Sequence, residues 1–149
     1  MTGKKVSIAA DHRGFNLKSL FMGHLQSKGF EVKDHGTHDT QSCDASDFAQ
    51  KIADDLRAHP DHKGILICAS GQAMAMAANR YQHIRAALCL NTTMARLARE
   101  HNDANVLALG SGLIGEMMAL ECLDVFLNTD FLGGRFKARG DKLKALGGL

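Results

Sequence analysis

No stretch of this 149-residue chain approaches the roughly 18 apolar residues that a membrane span needs. The first residues become polar too soon for a secretory signal, so we expect none. The chain also lacks a strong charge of one sign: its formal net charge is +2, and the one basic concentration is the tail at 133–144. A nucleic-acid-binding surface would need clustered Lys and Arg on one face. We therefore expect a cytoplasmic protein with neither a nucleic-acid nor a membrane partner.

Paired cysteines and metal-binding motifs are missing as well. The chain has four cysteines, none in a C-x-x-C pair and none at metal-ligand spacing from a histidine: Cys43, Cys68, Cys89 and Cys122. His35, His38 and Asp39 match no strong metal motif. We expect free thiols in a reducing compartment and no bound metal.

What the chain does have is a regular alternation of buried strands and amphipathic helices. The predicted strands are Lys5–Ala10, Phe30–Lys33, Gly64–Cys68, Ile84–Leu90 and Ala104–Leu109. The predicted helices are Phe15–Gln26, Asp47–Arg57, Gln72–Arg80, Thr92–Glu100 and Leu113–Leu127, before a helical tail over about 130–149. Such repetition predicts an α/β fold: one doubly wound, Rossmann-like domain over 1–149, with a five-stranded parallel sheet and helices on both faces. Ligands of such folds bind beyond the carboxyl ends of the strands.

The third predicted strand ends in Cys68-Ala69-Ser70-Gly71, directly before a helix. The first turn of a helix has unpaired N–H groups and partial positive charge, and small residues let an anion approach them. The same field favours the thiolate form of a nearby cysteine. Cys68 is thus a candidate nucleophile or base, although a buried structural thiol fits the pattern equally well.

Other loops offer weaker candidates. Asp11-His12 follows the first strand and suits proton transfer, or else an N-cap beside an exposed histidine. His101 lies in a polar run and is interpreted as a solvated loop residue. Arg135 and Arg139 share a helix face, where they would hold a phosphate or simply face solvent. The turn at 110–115 is a weak match to a dinucleotide fingerprint.

Taken together, several blocks in order resemble the family of type B ribose-5-phosphate isomerases and galactose-6-phosphate isomerase subunits. The blocks are IAADHRGFNLK, GILICASG with AMAANR and IRAALC, ARLAREHNDANVLALGSGLIG, and GGRFKAR. The resemblance covers nearly the whole chain and implies an aldose–ketose isomerase without metal or organic cofactor. It also implies a homodimer or homotetramer whose site lies between subunits, with the tail packing on the partner.

By position, the resemblance assigns roles to single residues. Cys68 matches the base that moves the proton between C2 and C1, and Ser70 matches a hydroxyl that helps to move the proton between O1 and O2. His101 matches the ring-opening residue, and Asp11 is placed to assist at the sugar hydroxyls. The implied substrate and phosphate contacts are His12, Gly71, Gln72, Ala73, Met74, Asn102, Arg135 and Arg139.

The chain also departs from the family pattern. Ala69 and Ala73 replace glycines, which adds methyl groups and disfavours positive φ. Gln72 replaces an aliphatic residue, Ala45 an aromatic one, and Gly112 an arginine. Ribose 5-phosphate is the expected substrate. Another tetrose, pentose or hexose phosphate, a non-catalytic sugar-phosphate-binding module and a nucleotide-binding flavodoxin-like protein are the alternatives.

Overall fold

The computed structural model describes residues 4–147, which form a parallel sheet flanked by helices. The strands are β1 (Lys5–Ala10), β2 (Glu31–Asp34), β3 (Lys63–Cys68), β4 (Ala86–Leu88) and β5 (Val106–Gly110). The helices are α1 (Phe15–Ser27), α2 (Ala45–Ala58), α3 (Gln72–Ala78), α4 (Thr92–Asn102), α5 (Glu116–Asn128) and α6 (Arg135–Ala145). The predicted α/β class with a five-stranded parallel sheet is confirmed. None of the helices in residues 4–147 is long and apolar enough to span a membrane.

The strand order is β2-β1-β3-β5-β4, so the chain winds one way from β1 and the other way from β3. The carboxyl ends of β1 and β3 therefore flank the point where the winding reverses, which is where open α/β sheets form a crevice. We call this side of the sheet the carboxyl end and the opposite side the amino end. Asp11 and Cys68 both lie at the carboxyl end.

Alternating side chains of the central strands fill two cores. On one face, Ile65 and Ile67 of β3 pack with α1, α4 and α5. On the other face, Leu66 and Cys68 pack with α2 and α3. Because both faces are covered, β3 and β5 are buried along nearly their whole length, as parallel strands usually are.

Most predicted boundaries differ from those observed by one to three residues, and two of the differences have a clear local cause. β4 is shorter than 84–90, because the N–H of Ile84 bonds within a turn to Tyr81 and the N–H of Arg85 bonds to the side chain of Asn105. The helix α4 extends to Asn102, so His101 lies in its last turn and not in a loop.

A first prediction concerns the packing of β5 under the loop that follows β3. A Cβ atom at Gly110 would lie 2.5 Å from the carbonyl carbon of Ser70. We expect Gly110→Ala to push this loop away and to lower the free energy of unfolding by about 1–3 kcal/mol, measured by urea denaturation.

Gly115→Ala is the matched control on the same turn. A Cβ atom there meets no heavy atom within 4 Å, and the residue has a φ of −74°. Equal losses of stability in the two variants would show that the close approach at Gly110 does not matter.

Candidate functional site

Asp11 lies at the reversal of the sheet, where its N–H donates to the carbonyl of Ile67 (3.1 Å). Its Oδ1 accepts the N–H groups of Arg13 (2.9 Å) and Gly14 (3.2 Å). Gly14, not Asp11, occupies the N-cap position of α1. The carboxylate is therefore buried and held by a turn, with its second oxygen making no hydrogen bond within residues 4–147.

Cys68 ends β3 with its side chain directed to the α2 and α3 face, and 4% of the residue is exposed. Its Sγ accepts the N–H of Gly71 (3.2 Å). Gly71 has a φ of +76°, which turns its N–H back toward the strand end just before α3 begins. A donor to sulfur beside a helix start stabilises the negative charge of a thiolate.

The other buried thiols are in a different environment. Burial raises the pKa of Cys89 to about 12, and burial also raises the pKa of Cys122. Both pack in the core on the opposite face of the sheet. They are structural thiols, as expected for them.

The main-chain N–H groups after Cys68 divide into two sets. Gly71 donates to the sulfur, and Gln72 donates to Ser70 Oγ (3.4 Å). The N–H groups of Ser70, Ala73 and Met74 find no acceptor in the described part of the chain. The Ser70 hydroxyl donates no hydrogen bond within the described residues, so its proton remains available to a ligand.

His12 follows Asp11 and is half-buried. Its Nδ1 accepts the main-chain N–H of Cys43 (3.3 Å), which leaves the ring proton on Nε2. The loop that carries Cys43 follows β2, whose last residue Asp34 pairs with the buried Lys18 (2.7 and 2.8 Å). Burial raises the pKa of Asp34, but the Lys18 hydrogen bond and charge outweigh it and hold this pKa below its usual range.

The turn at 110–115 links the loops at the carboxyl end. Ser111 donates its hydroxyl to the carbonyl of Arg13 (2.8 Å) and its N–H to the carbonyl of Cys68 (2.8 Å). Gly112 donates its N–H to the carbonyl of Ala69 (2.9 Å). These bonds hold the Asp11 and Cys68 loops together, so we call Asp11, His12, Cys68 and the segment Ser70–Met74 the carboxyl-end cluster.

The remaining predicted site residues gather at the amino end. The imidazole of His101 stacks on the ring of Phe136, with centroids 4.2 Å apart and an interplanar angle of 11°. The guanidinium carbons of Arg135 and Arg139 lie 5.0 and 5.9 Å from the centre of the same ring. Together with Asn102, these residues form what we call the amino-end cluster.

Asp103 fixes the end of α4 that carries His101 and Asn102. It adopts the left-handed conformation with a φ of 50°. Its carboxylate accepts from Arg99 (2.9 Å) and lies 3.5 Å from Lys144 of α6, while its carbonyl accepts from Arg85 (2.9 Å). One residue thus joins α4, α6 and the segment before β4.

Sequence reasoning missed Phe136 and the contact of Cys43 with His12. Arg139 lies four residues after Arg135 and three after Phe136, so it shares a helix face with each of them, and Phe136 was detectable from this spacing. The Cys43 contact uses a main-chain N–H, which any residue except proline provides. The sequence therefore carries no signal for it.

The two clusters lie at opposite ends of the sheet. β5 runs from Val106 at the amino end to Gly110 at the carboxyl end, and its five residues span about 16 Å. Two cavities of about 570 and 530 Å³ also open at the amino end, and neither includes Cys68. Within residues 4–147 no group of three or more His, Cys, Asp or Glu side chains could hold a metal ion.

Comparisons with known proteins match the chain over most of its length. The family described as ribose/galactose isomerase matches residues 6–143. Ribose-5-phosphate isomerase B of Escherichia coli is 37% identical over 143 residues, which cover 96% of each chain. A Rickettsia bellii relative, 44% identical over 90% of this chain and 93% of its own, has the provisional name of a sugar phosphate isomerase with no sugar specified.

Solved structures match the fold closely. Ribose 5-phosphate isomerase of Thermotoga maritima is 46% identical, with a TM-score of 0.92 over 95% of this chain and 98% of its own. Ribose-5-phosphate isomerase B of Mycoplasma genitalium with bound ribulose-5-phosphate is 38% identical, with a TM-score of 0.93 over 97% of this chain and 96% of its own.

A second prediction concerns Asp103. Burial raises the pKa of its carboxyl, but the hydrogen bond and charge of Arg99, with Arg85 and Lys144, outweigh burial and lower it. A lowered folded-state pKa stabilises the protein above the unfolded value of about 3.9, and this stability is lost as pH falls through the folded-state pKa. We expect Asp103→Asn to lower the free energy of unfolding by about 1–2 kcal/mol at pH 7.

Urea denaturation at several pH values checks this. The difference in free energy of unfolding between Asp103→Asn and the wild type should become smaller below about pH 4. Asp141→Asn is the control, since it breaks only the exposed Asp141–Lys137 pair and should change stability little. A gap for Asp103→Asn that is constant with pH would contradict the charge argument.

Proposed function

Because the chain belongs to the ribose/galactose isomerase family, we propose that it interconverts ribose 5-phosphate and ribulose 5-phosphate through an enediol(ate), without metal or organic cofactor. Relatives named for this activity span almost the whole chain. The observation that most supports this proposal is the environment of Cys68. Its Sγ accepts the Gly71 N–H, and the neighbouring N–H groups of the same loop find no acceptor in the described chain.

In the proposed reaction, the Cys68 thiolate removes the proton from C2 of the open-chain aldose. The electron pair of the C2–H bond moves to form the C1–C2 double bond, and negative charge develops on O1. The cysteine then returns the proton to C1, while the Ser70 hydroxyl carries a proton between O2 and O1. Bonds made and broken balance, and no redox partner is required.

Negative charge on the enediolate oxygen needs fixed donors. We assign this role to the N–H groups of Ser70, Ala73 and Met74, which find no acceptor in the part of the chain that is described. Donors that are already oriented stabilise charge as it develops, and each is typically worth about 3 kcal/mol of the barrier. The side chain of Gln72 is exposed at the same helix start and faces the entering substrate in this proposal.

The amino-end cluster completes the site only in another subunit. His101 would open the sugar ring, Asn102 would bind a sugar hydroxyl, and Arg135 and Arg139 would bind the phosphate together with His12. Because about 16 Å of β5 separates the two clusters in one chain, we assign the amino-end cluster to the site of a partner copy, with the tail at 130–149 packing on that partner.

The surface around the carboxyl-end cluster supports a homodimer. Five large apolar side chains follow β3, β4 and β5 and are 41–76% exposed in one chain: Met76, Leu90, Met94, Leu113 and Met117. An apolar patch beside a functional cluster is typical of a protein interface. We include a homodimer or homotetramer in the proposal, located in the cytoplasm, where four free thiols stay reduced.

Another sugar phosphate is the alternative substrate. The specific observations are Gln72 at the helix start, Ala45 at the position of an aromatic residue in the family, and Gly112 at that of an arginine. Turnover of ribose 5-phosphate, compared in one assay with tetrose, pentose and hexose phosphates, decides between them. A sugar phosphate that binds without any turnover would instead indicate a non-catalytic binding module.

The third prediction tests Cys68 directly. We expect Cys68→Ala to lower kcat for ribose 5-phosphate at least about a thousandfold, because the enzyme loses the base that makes and breaks the C–H bonds. The assay contains EDTA, so the wild-type rate in it also tests the proposed independence from metal.

Cys89→Ala is the matched control. It removes a buried thiol whose pKa burial raises to about 12, and it should retain activity. Full activity of Cys68→Ala would exclude this thiol from the chemistry, and loss in both variants with falling stability would indicate a packing effect.

The fourth prediction tests the shared site. Cys68→Ala and His101→Ala each inactivate both sites of a homodimer. A mixed dimer retains one intact site, formed by Cys68 of one subunit and His101 of the other. Unfolding and refolding an equal mixture should therefore recover about 25% of wild-type activity, as symmetry requires.

Mixing each variant with itself is the control and should recover none. No recovery in the equal mixture, when tagged subunits show that hybrids have formed, would place both residues in the site of one chain.

A further inference from the structure

A cavity of about 570 Å³ opens at the amino end of the sheet and contains none of the residues assigned above to substrate. Its polar wall is formed by Arg57, Gln82, His83, Arg85, Asn105 and Lys144. The volume falls within the range of about 300–1,000 Å³ that is usual for small-molecule sites. Three of the six polar residues carry a permanent or near-permanent positive charge.

The positive charge of this wall exceeds the negative charge near it. Arg85 and Lys144 lie 3.8 and 3.5 Å from the same carboxylate, that of Asp103. Asp103 is already paired with Arg99 at 2.9 Å. Arg57 has no carboxylate within 4 Å in the described residues and lies over the ring of Tyr81. The Asp103 carboxylate is thus the one negative charge found in residues 4–147 near three cations, namely Arg85, Arg99 and Lys144, and Arg57 adds a fourth positive charge to the wall.

The cationic groups are also held in place. Arg85 donates Nε to the carbonyl of Asp103 (2.9 Å) and Nη1 to the carbonyl of His83 (3.3 Å). Burial lowers the pKa of Arg85, Asp103 only partly opposes this, and Arg99 lowers it further. Gln82 donates to the carbonyl of Lys144 (3.2 Å) and so fixes that end of α6. An anion in the cavity would offset the cost of burying the Arg85 charge.

A simpler explanation for Arg57 and Lys144 is that they lie in the last turns of α2 and α6, because helix C-termini favour positive charge. This effect acts on each helix separately. It does not explain why both side chains line one cavity together with a third, half-buried guanidinium.

We propose that this cavity binds a phosphate dianion, free or as the monoester group of a small metabolite. The site is separate from the proposed isomerase site, and the inference does not depend on that function. Arg57 and Arg85 would donate forked hydrogen bonds, and Lys144 would supply a third positive charge. The ring of His83 is held in the cavity wall, because its Nε2 donates to the carbonyl of Ala53 (2.7 Å).

Site-resolved ¹H–¹⁵N spectra of the whole protein during titration with inorganic phosphate test the proposal. We expect the side-chain NH₂ signals of Gln82 and Asn105 to move and saturate. The Gly71 and Ala73 amides report on the carboxyl-end cluster, and the proposal does not depend on whether they move. Arg57→Gln and Lys144→Gln should each weaken this binding about tenfold, since each removes a charge-assisted hydrogen bond.

Lys142→Gln is the matched control, because it removes one exposed charge from α6 outside the cavity wall. The melting temperatures of all three variants are compared with that of the wild type, and equal values show that the substitutions leave the fold intact. A parallel titration with AMP identifies the ligand type: tighter binding than phosphate assigns a monoester, and equal binding assigns free phosphate. Static Gln82 and Asn105 signals, or equal weakening by Lys142→Gln, would overturn the proposal.

Discussion

The reversal of strand order between β1 and β3 is the constraint on which the rest of the molecule depends. It brings Asp11 and Cys68, far apart in sequence, to neighbouring strand ends, where the Asp11 N–H bonds to the Ile67 carbonyl. β5 then packs directly beneath the loop after β3, which only a glycine at 110 permits. The carboxyl-end cluster is consequently built on the buried centre of the sheet, with its loops joined by the hydrogen bonds of Ser111 and Gly112.

Much of the fold follows from the sequence, because fully buried parallel strands and amphipathic helices have distinct patterns. The bounds predicted for β1 are those observed, β3 starts one residue earlier than predicted, and the family and enzyme class are confirmed by relatives across the chain. Two of the wrong boundaries have a local cause. A side chain replaces the strand-to-strand hydrogen bonds before β4, and α4 continues past its predicted end. Arg85 bonds to the Asn105 side chain, and Asp103 ends α4 only after His101 by adopting a left-handed conformation.

The candidate site was predictable in part. Cys68 and Ser70 stand out because a strand end, small residues and a helix start coincide in a few positions. The grouping of His101 with Arg135 and Arg139 was not accessible from local pattern, since it needs the path of α4 and α6 across the amino end. The stacking of His101 on the Phe136 ring, and the main-chain contact of Cys43 with His12, become visible only in three dimensions.

The departures from the family pattern acquire a physical meaning from the backbone. Gly71 alone in the loop after β3 needs a positive φ, and Asp103 is the only non-glycine residue with positive φ in the described chain. Ala69 and Ala73 do not have a positive φ, so the loss of glycine at these two positions causes no backbone strain of that kind. Gln72, Ala45 and Gly112 change side chains rather than backbone. The groups proposed to move protons thus keep their framework, while the groups that would contact the rest of the substrate differ, so the reaction type follows from the fold more directly than the sugar does.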